Sequence, residues 1–282
     1  MTSVIRRLAR NPLFLTGVIF LLPILVFAVG AQWIAPHDPH EQVLSLRLTP
    51  PAFQKGGNPA YLLGTDGLGR DLLSRVIYGA RVSLLIGLAV VTISGLIGTA
   101  IGVTAGYFGG LVDTLIMRVI DTFLAFPFLL LALAVMAVLK PGLWNLIMVL
   151  ALTGWVPYAR VARIRTRTLR GVEFVEAAVA LAASSARIVN RHVLPNISSS
   201  LVIIACMEVG AAILAESTLS FLGLGIRPDI PTWGMTLNEG RGYLLFAWWP
   251  TTIPGIFILL TVFGINLVGD GIRDATDPRS RH

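Results

Sequence analysis

Six apolar runs, each long enough to cross a bilayer, constrain this chain more than any other feature of it. A spanning helix needs about 20 mostly apolar residues, because lipid offers the backbone no hydrogen-bond partner. The runs extend from Pro12 to Ala35, Val82 to Tyr107, Thr114 to Leu139, Leu143 to Ala162, Ile197 to Leu222 and Trp249 to Val268, with their ends approximate. The composition agrees with them. Of 282 residues, 55% are hydrophobic and only 13% are charged, roughly half the charge of a soluble domain, and the mean hydropathy is +0.78. The expected fold is all-α and polytopic, with six transmembrane helices. A soluble enzyme is excluded.

The net charge of +7 does not point to nucleic acid, because the basic residues, all arginine except Lys55 and Lys140, are scattered between apolar blocks. In a membrane protein such an excess reports topology. Arg160, Arg163, Arg165, Arg167, Arg170, Arg187 and Arg191 crowd the connection after the fourth run, and Arg6, Arg7, Arg10, Arg273, Arg279 and Arg281 lie near the termini. Both termini and that connection are therefore expected on the cytoplasmic side, N-in and C-in. The opening arginines before an apolar run also resemble a signal peptide, but the run is long enough to span and is read as an uncleaved first helix. The lone Cys206 is a packing residue, and disulfide or CxxC chemistry is excluded.

Three units are expected: 1–81, an N-terminal arm, first helix and long outer connection; 82–272, a core of five helices; and 273–282, a cytoplasmic tail. The second outer connection, Gly223 to Trp248, is rich in Gly, Pro and Trp and reads as an ordered loop near the interface. No catalytic site is expected. The phosphate loop GxxxxGK[ST] is absent, since Lys55 and Lys140 are followed by Gly and Pro, and no HExxH occurs among the four histidines. His37, Asp38, His40 and Glu41 form HDPHE outside the first helix. Two histidines fall short of the usual four ligands, so a solvated turn is favoured over a metal site.

Charge inside lipid is costly and marks function by default. Arg118 and Asp121 lie three apart in the third run, a spacing that lets them face each other as a structural pair. Glu208 and Glu216 in the fifth run lie about 80° apart on a helical wheel, so both could line a path or bond between helices. Asp113, just before the third run, is expected to cap it. In GTDGLGRD, Gly64–Asp71, the glycines beside Asp66, Arg70 and Asp71 form either a tight charged turn or an outer receptor-docking surface, with the turn favoured.

The strongest signal is the polar insertion 171–196, GVEFVEAAVALAASSARIVNRHVLPN. Its pattern predicts two short helices, the first over Glu173 to Ala183 with a small-residue face of Ala177, Ala178 and Ala182. Ser184 or Ser185 caps the second, which ends before Pro195, and Asn196 caps the fifth span. Such a hairpin, fixed to two spans, is a handle for a partner.

These residues resemble the EAA loop of binding-protein-dependent ABC importer permeases, here Glu176-Ala177-Ala178 followed by His192, Leu194, Pro195 and Asn196. The likeness extends along nearly the whole chain, through Leu63–Leu84, ESTLSFLGLG (Glu216–Gly225), PTWGMTLNEGR (Pro231–Arg241) and NLVGDGIRDATDPR (Asn266–Arg279). Together they resemble the C-type permease of dipeptide, oligopeptide and nickel importers. The resemblance implies a type I importer permease fold and a role as one of two non-identical membrane subunits. It implies as partners a second permease, one or two cytoplasmic ATPases that bind ATP and Mg, and an extracytoplasmic binding protein. Glu176, Ala177, Ala178, Ala182, His192, Leu194, Pro195 and Asn196 would make the coupling loop, and Arg118, Asp121, Glu208 and Glu216 are the polar candidates for the path. The path would be lined by spans two to six. Nickel or another small solute is the alternative cargo, and a proton-coupled carrier using the intramembrane acids is the alternative of a different class. The family usually has Gly where this chain has Ala182, which puts the loop's turn in question.

Overall fold

A computed structural model of the chain describes residues 6–227 and 229–276. Arg279, Arg281 and the end of the expected tail lie outside the described residues. Among those described no strand forms, and eleven α-helices are labelled here in chain order. They are α1 Pro12–Ile34, α2 Leu72–Phe108, α3 Gly110–Leu124, α4 Phe128–Val138, α5 Leu143–Gly154, α6 Val156–Arg170, α7 Glu173–Ala180, α8 Ser185–Ile188, α9 Leu194–Phe221, α10 Trp233–Gly240 and α11 Trp249–Thr276.

Five helical stretches are long and apolar enough to cross a membrane, and α3 with α4 makes a sixth that is bent by 79°. The third predicted span is thus not a straight helix. Pro127 lacks an N–H and disfavours helical backbone at Phe126, so the helix stops at Leu124 and restarts at Phe128.

The other spans differ from expectation mainly by running further. α2 begins ten residues before Val82, at Leu72, where the Asp71 side chain accepts the Ser74 N–H. The division at 81/82 therefore cuts a helix. α5 and α6 form one span, Leu143–Arg170, whose last turn carries Arg167 and Arg170 against the helix dipole. α11 continues past Val268 to Thr276. Apolarity ends at the lipid boundary, but backbone hydrogen bonding does not.

α8 and α9 are joined by a π-turn, Val189–Val193, into a single stretch, Ser185–Phe221. The break expected before Pro195 does not occur. The wider turn, in which the Leu194 N–H donates to the Val189 carbonyl, makes room for the proline ring. Asn196 is consequently not a cap; its side-chain amide donates to the His192 carbonyl at 2.6 Å.

The scaffold is a backbone-to-backbone contact between α2 and α6. Gly98, Gly102 and Gly106 recur every fourth residue and put one bare stripe of α2 against the carbonyls of Trp155, Ala159 and Arg163. A Cβ at Gly102 would lie 2.2 Å from the Ala159 oxygen. Lipid supplies no hydrophobic drive between helices, so close approach of this kind is what holds them. At the cytoplasmic end, Arg163 donates from Nε and Nη2 to the Asp113 carboxylate, and Arg170 Nη1 donates to the Tyr107 carbonyl at 2.8 Å. Asp113 is thus a partner for α6 rather than the cap of α3, a position held by Gly109. α1 lies against α11 and α2, with Gly17 on the Gly264 backbone.

Candidate functional site

The predicted coupling loop folds as a hairpin pinned by its inner face. Val175, Ile188, Val193 and Ile197 are buried with Val103 of α2 and Ala162 of α6 in one apolar cluster, joined at its edge by Ala178, Ala183 and Leu194. α7 is shorter than expected, ending at Ala180. Ser184 caps α8, as the sequence predicts, by accepting the Arg187 N–H.

Between the two helices, the Ala183 N–H donates to the Ala178 carbonyl at 3.1 Å and the Ala182 N–H to the Val179 carbonyl at 2.9 Å. This paired closure requires a left-handed residue at the turn, and Ala182 takes it with φ +54°. The methyl group makes that conformation roughly 1 kcal/mol costly. Ala182→Gly is therefore expected to stabilise the folded chain by about 0.5–1 kcal/mol after the extra chain entropy of glycine, seen as a higher thermal unfolding midpoint.

The outer face of the hairpin is open. Glu176, Ala177, Ala182, Pro195 and Asn196 are exposed, whereas Ala178, His192 and Leu194 are half-buried. The small-residue face is thus divided, with Ala178 turned inward. His192 is tilted against Phe174, ring centroids 6.0 Å apart. Two residues that sequence reasoning missed complete the face: Phe174, 42% exposed, and Leu181, 84% exposed at the tip. Large apolar side chains held in the open on an ordered turn mark a contact surface.

The intramembrane candidates separate. Arg118 and Asp121 are both exposed on α3, and no ion pair joins them; the expected structural pair does not form. Glu216 is fully buried and accepts from the Ser220 hydroxyl at 2.8 Å and the Ser217 hydroxyl at 3.3 Å, both on its own helix. Glu208 faces elsewhere, into a cavity of about 460 Å³ beside the break between α3 and α4. That cavity is walled by α2, α3, α4, α5, α6 and α9; α1 and α11 contribute nothing to it.

At the outer end, Asp66, Arg70 and Asp71 are buried rather than displayed. Asp66 accepts the backbone N–H groups of Leu68 and Arg70 and, at 2.6 Å, Arg70 Nε. Arg70 Nη2 and Arg75 Nη2 each donate to Glu239 Oε2 at 2.6 Å. Gly69, at φ +75°, has its Cα so close to Val43 that a Cβ would lie 1.9 Å from that carbonyl oxygen. The segment is a closed charged turn, clamped to α10 through Glu239; these three side chains offer no docking surface. Trp249 Nε1, at the start of α11, donates to the Thr65 carbonyl of the first outer connection, and Trp233 Nε1 of α10 donates to the Val76 carbonyl of α2. His37 stacks on Tyr61, His40 is exposed, and among the described residues no group of three or more His, Cys, Asp or Glu is placed to hold a metal.

The chain is thus a polytopic helical bundle with an ordered, partly apolar cytoplasmic hairpin and a cavity beside a broken span, the architecture of a membrane transport component. A family model for the binding-protein-dependent transport system inner membrane component matches residues 98–282, and one for the N-terminal TM domain of oligopeptide transport permease C matches residues 1–51. The chain belongs to this family of multi-pass inner-membrane permeases. It is 44% identical to the di/tripeptide transport system permease protein DppC of Pseudomonas aeruginosa, over 97% of this chain and 90% of that one. It is 43% identical to the dipeptide transport system permease protein DppC of Haemophilus influenzae, over 94% and 90%. It is 40% identical to the probable D,D-dipeptide transport system permease protein DdpC of Escherichia coli, over 97% and 90%. In fold it is similar to a chain of the inward-facing MetNI methionine ABC transporter, with a TM-score of 0.59 at 17% identity, covering 73% of this chain and 98% of that one.

Proposed function

We propose that the chain is one of two related, non-identical permeases of an ATP-driven importer and forms, with the second, a path for di- and oligopeptides. A binding protein delivers cargo at the outer face. One or two cytoplasmic ATPases bind ATP and Mg and receive the α7–α8 hairpin in a groove. The observation that carries this reading is the exposed tip, Leu181 with Phe174 and Glu176, on a hairpin rooted in α6 and α9. The names of the relatives support peptide cargo. Closure of the ATPase pair would move the hairpin, and the helices with it, between two packings biased by ATP on one side and the loaded receptor on the other.

Affinity capture of the tagged chain in mild detergent tests this, and a second permease with ATPases is the expected result. Leu181→Asp and Glu176→Lys should each leave the two permeases together but lower receptor-stimulated ATPase activity and uptake roughly 10- to 30-fold, the loss typical of a central interface residue. Unchanged uptake and ATPase activity would sink the loop's role. Transport that survives ATP depletion and collapses with the proton gradient would install the carrier instead.

A further inference from the structure

The wall of the 460 Å³ cavity is almost entirely alkyl and aromatic, and among the described residues Glu208 is the one carboxylic acid on it. Glu208 lies about 20 Å along α9 from Leu194 at 1.5 Å per residue, deep in the span. Among the described residues no basic side chain is in ion-pair contact with it. A carboxylate so placed is costly unless a cation or several donors meet it.

The other polar groups of the wall are mostly committed. Ser94 Oγ donates to the Ala151 carbonyl, and Thr153 Oγ1 donates to carbonyls of its own helix. The exception is Tyr158. It is 2% exposed, lines the same cavity, and its hydroxyl makes no hydrogen bond. Beside the cavity there are therefore two groups without a hydrogen-bond partner among the described residues: the Glu208 carboxyl group on its wall and the Tyr158 hydroxyl, which is covered in this conformation. An ammonium carries three donors and no acceptor, so it satisfies the carboxylate and, where the Tyr158 ring turns its hydroxyl to the cavity, that oxygen as well, which a carboxylate or an apolar group would not. The volume falls within the roughly 300–1,000 Å³ of small-molecule sites.

We propose that Glu208 and Tyr158 form a way-station in the translocation path for the N-terminal ammonium group of a peptide. This rests on the peptide-import reading above. Cargo would enter the cavity amino end towards α9, its carboxylate end kept away by the same charge. One carboxylate and one hydroxyl, with apolar walls for any side chain, hold the end common to all unblocked peptides and release it readily.

The test uses the assembled permease–ATPase complex in nanodiscs without the binding protein, so that the receptor's own selectivity is absent. Saturation-transfer NMR is recorded with trialanine and with N-acetyl-trialanine. The trialanine signal should fall about tenfold in Glu208→Gln, the worth of one charge-assisted hydrogen bond, fall less in Tyr158→Phe, and largely persist in Glu208→Asp. N-acetyl-trialanine should be weak with every form. Equal signals for the two peptides with the unaltered complex would overturn the proposal, a comparison that needs no variant to fold. A Gln variant that binds trialanine normally, or carbodiimide coupling of Glu208 to a lysine of the other permease, would overturn it too. Uptake of trialanine by the unaltered complex in proteoliposomes, with receptor present, tests the import reading separately: failure there removes that reading, whereas normal uptake with charge-blind binding removes the way-station alone.

Discussion

Gly102→Leu will leave little folded chain in the membrane. A Cβ at this position already lies 2.2 Å from the Ala159 carbonyl oxygen and 2.8 Å from the Ala162 Cβ. Both are part of a helix that cannot give way locally, because α2 and α6 touch along the whole Gly98–Gly102–Gly106 stripe. Forcing a side chain between them separates the backbones over several turns. The penalty exceeds the 1–3 kcal/mol of ordinary overpacking, since apolar burial does not compensate in lipid for helices that have been pushed apart. Fluorescence-detected size exclusion should show the monodisperse peak lost, with Gly102→Ala intermediate. Gly171→Ala is the control: a Cβ there meets nothing within 4 Å, so the peak should stay. A monodisperse, thermally unaltered Gly102→Leu protein would refute the stripe as the scaffold.

Removing Glu239 should have the second largest effect. Its carboxylate takes one donor from each of two guanidinium groups, and Arg75 is only 1% exposed. Among the described residues, Glu239→Leu leaves Asp66 as the one remaining acid in ion-pair contact with Arg70 and Arg75. Losing one partner of a buried ionic group typically costs about 3–5 kcal/mol. The loss should fall on the outer face, where α10 would lift from the turn around Asp66. Limited proteolysis from that side should cut the connections near Gly69 and Gly242 far faster, and the unfolding midpoint should drop. His40→Ala, an exposed site on the same face, should change neither. Equal proteolysis of Glu239→Leu and the unaltered chain would show that the clamp is dispensable.

The helices were legible in the sequence because apolar runs of about 20 residues have few other uses. Their ends were less so. Val82 and Ala162 are where hydropathy stops, but α2 starts at its Asp71 cap and α6 runs on through an arginine-rich turn. Pro127 and Pro195 show the limit of a local rule. The first breaks its helix by 79°; the second sits in an unbroken one because a π-turn widens just before it. Nothing local distinguishes the two prolines.

The hairpin was readable in the pattern from Glu173 to Asn196, but its orientation was not. Which alanine turns inward depends on Val103 and Ala162, distant in sequence. The same holds for the outer clamp. Arg75 and Glu239 stood in the recognisable segments, yet 164 positions separate them, and their pairing is a property of the fold. Spacing along one helix made Arg118 and Asp121 look like partners, and three-dimensional placement leaves them apart.

The unbroken run from Ser185 to Phe221 has a mechanical meaning. Its 37 residues make a rod about 55 Å long, reaching from the cytoplasmic hairpin to the segment beneath α10. For a rod of that length, each degree of tilt about the outer end sweeps the inner end through about 1 Å of arc. A few degrees are then worth a side chain's width at the cytoplasmic end. With Glu208 about 20 Å from the outer end, the cavity wall moves by about a third of the distance the inner end does. A helix of this shape is a reducing gear: a large displacement at its cytoplasmic end becomes a small, stiff one at the cavity wall.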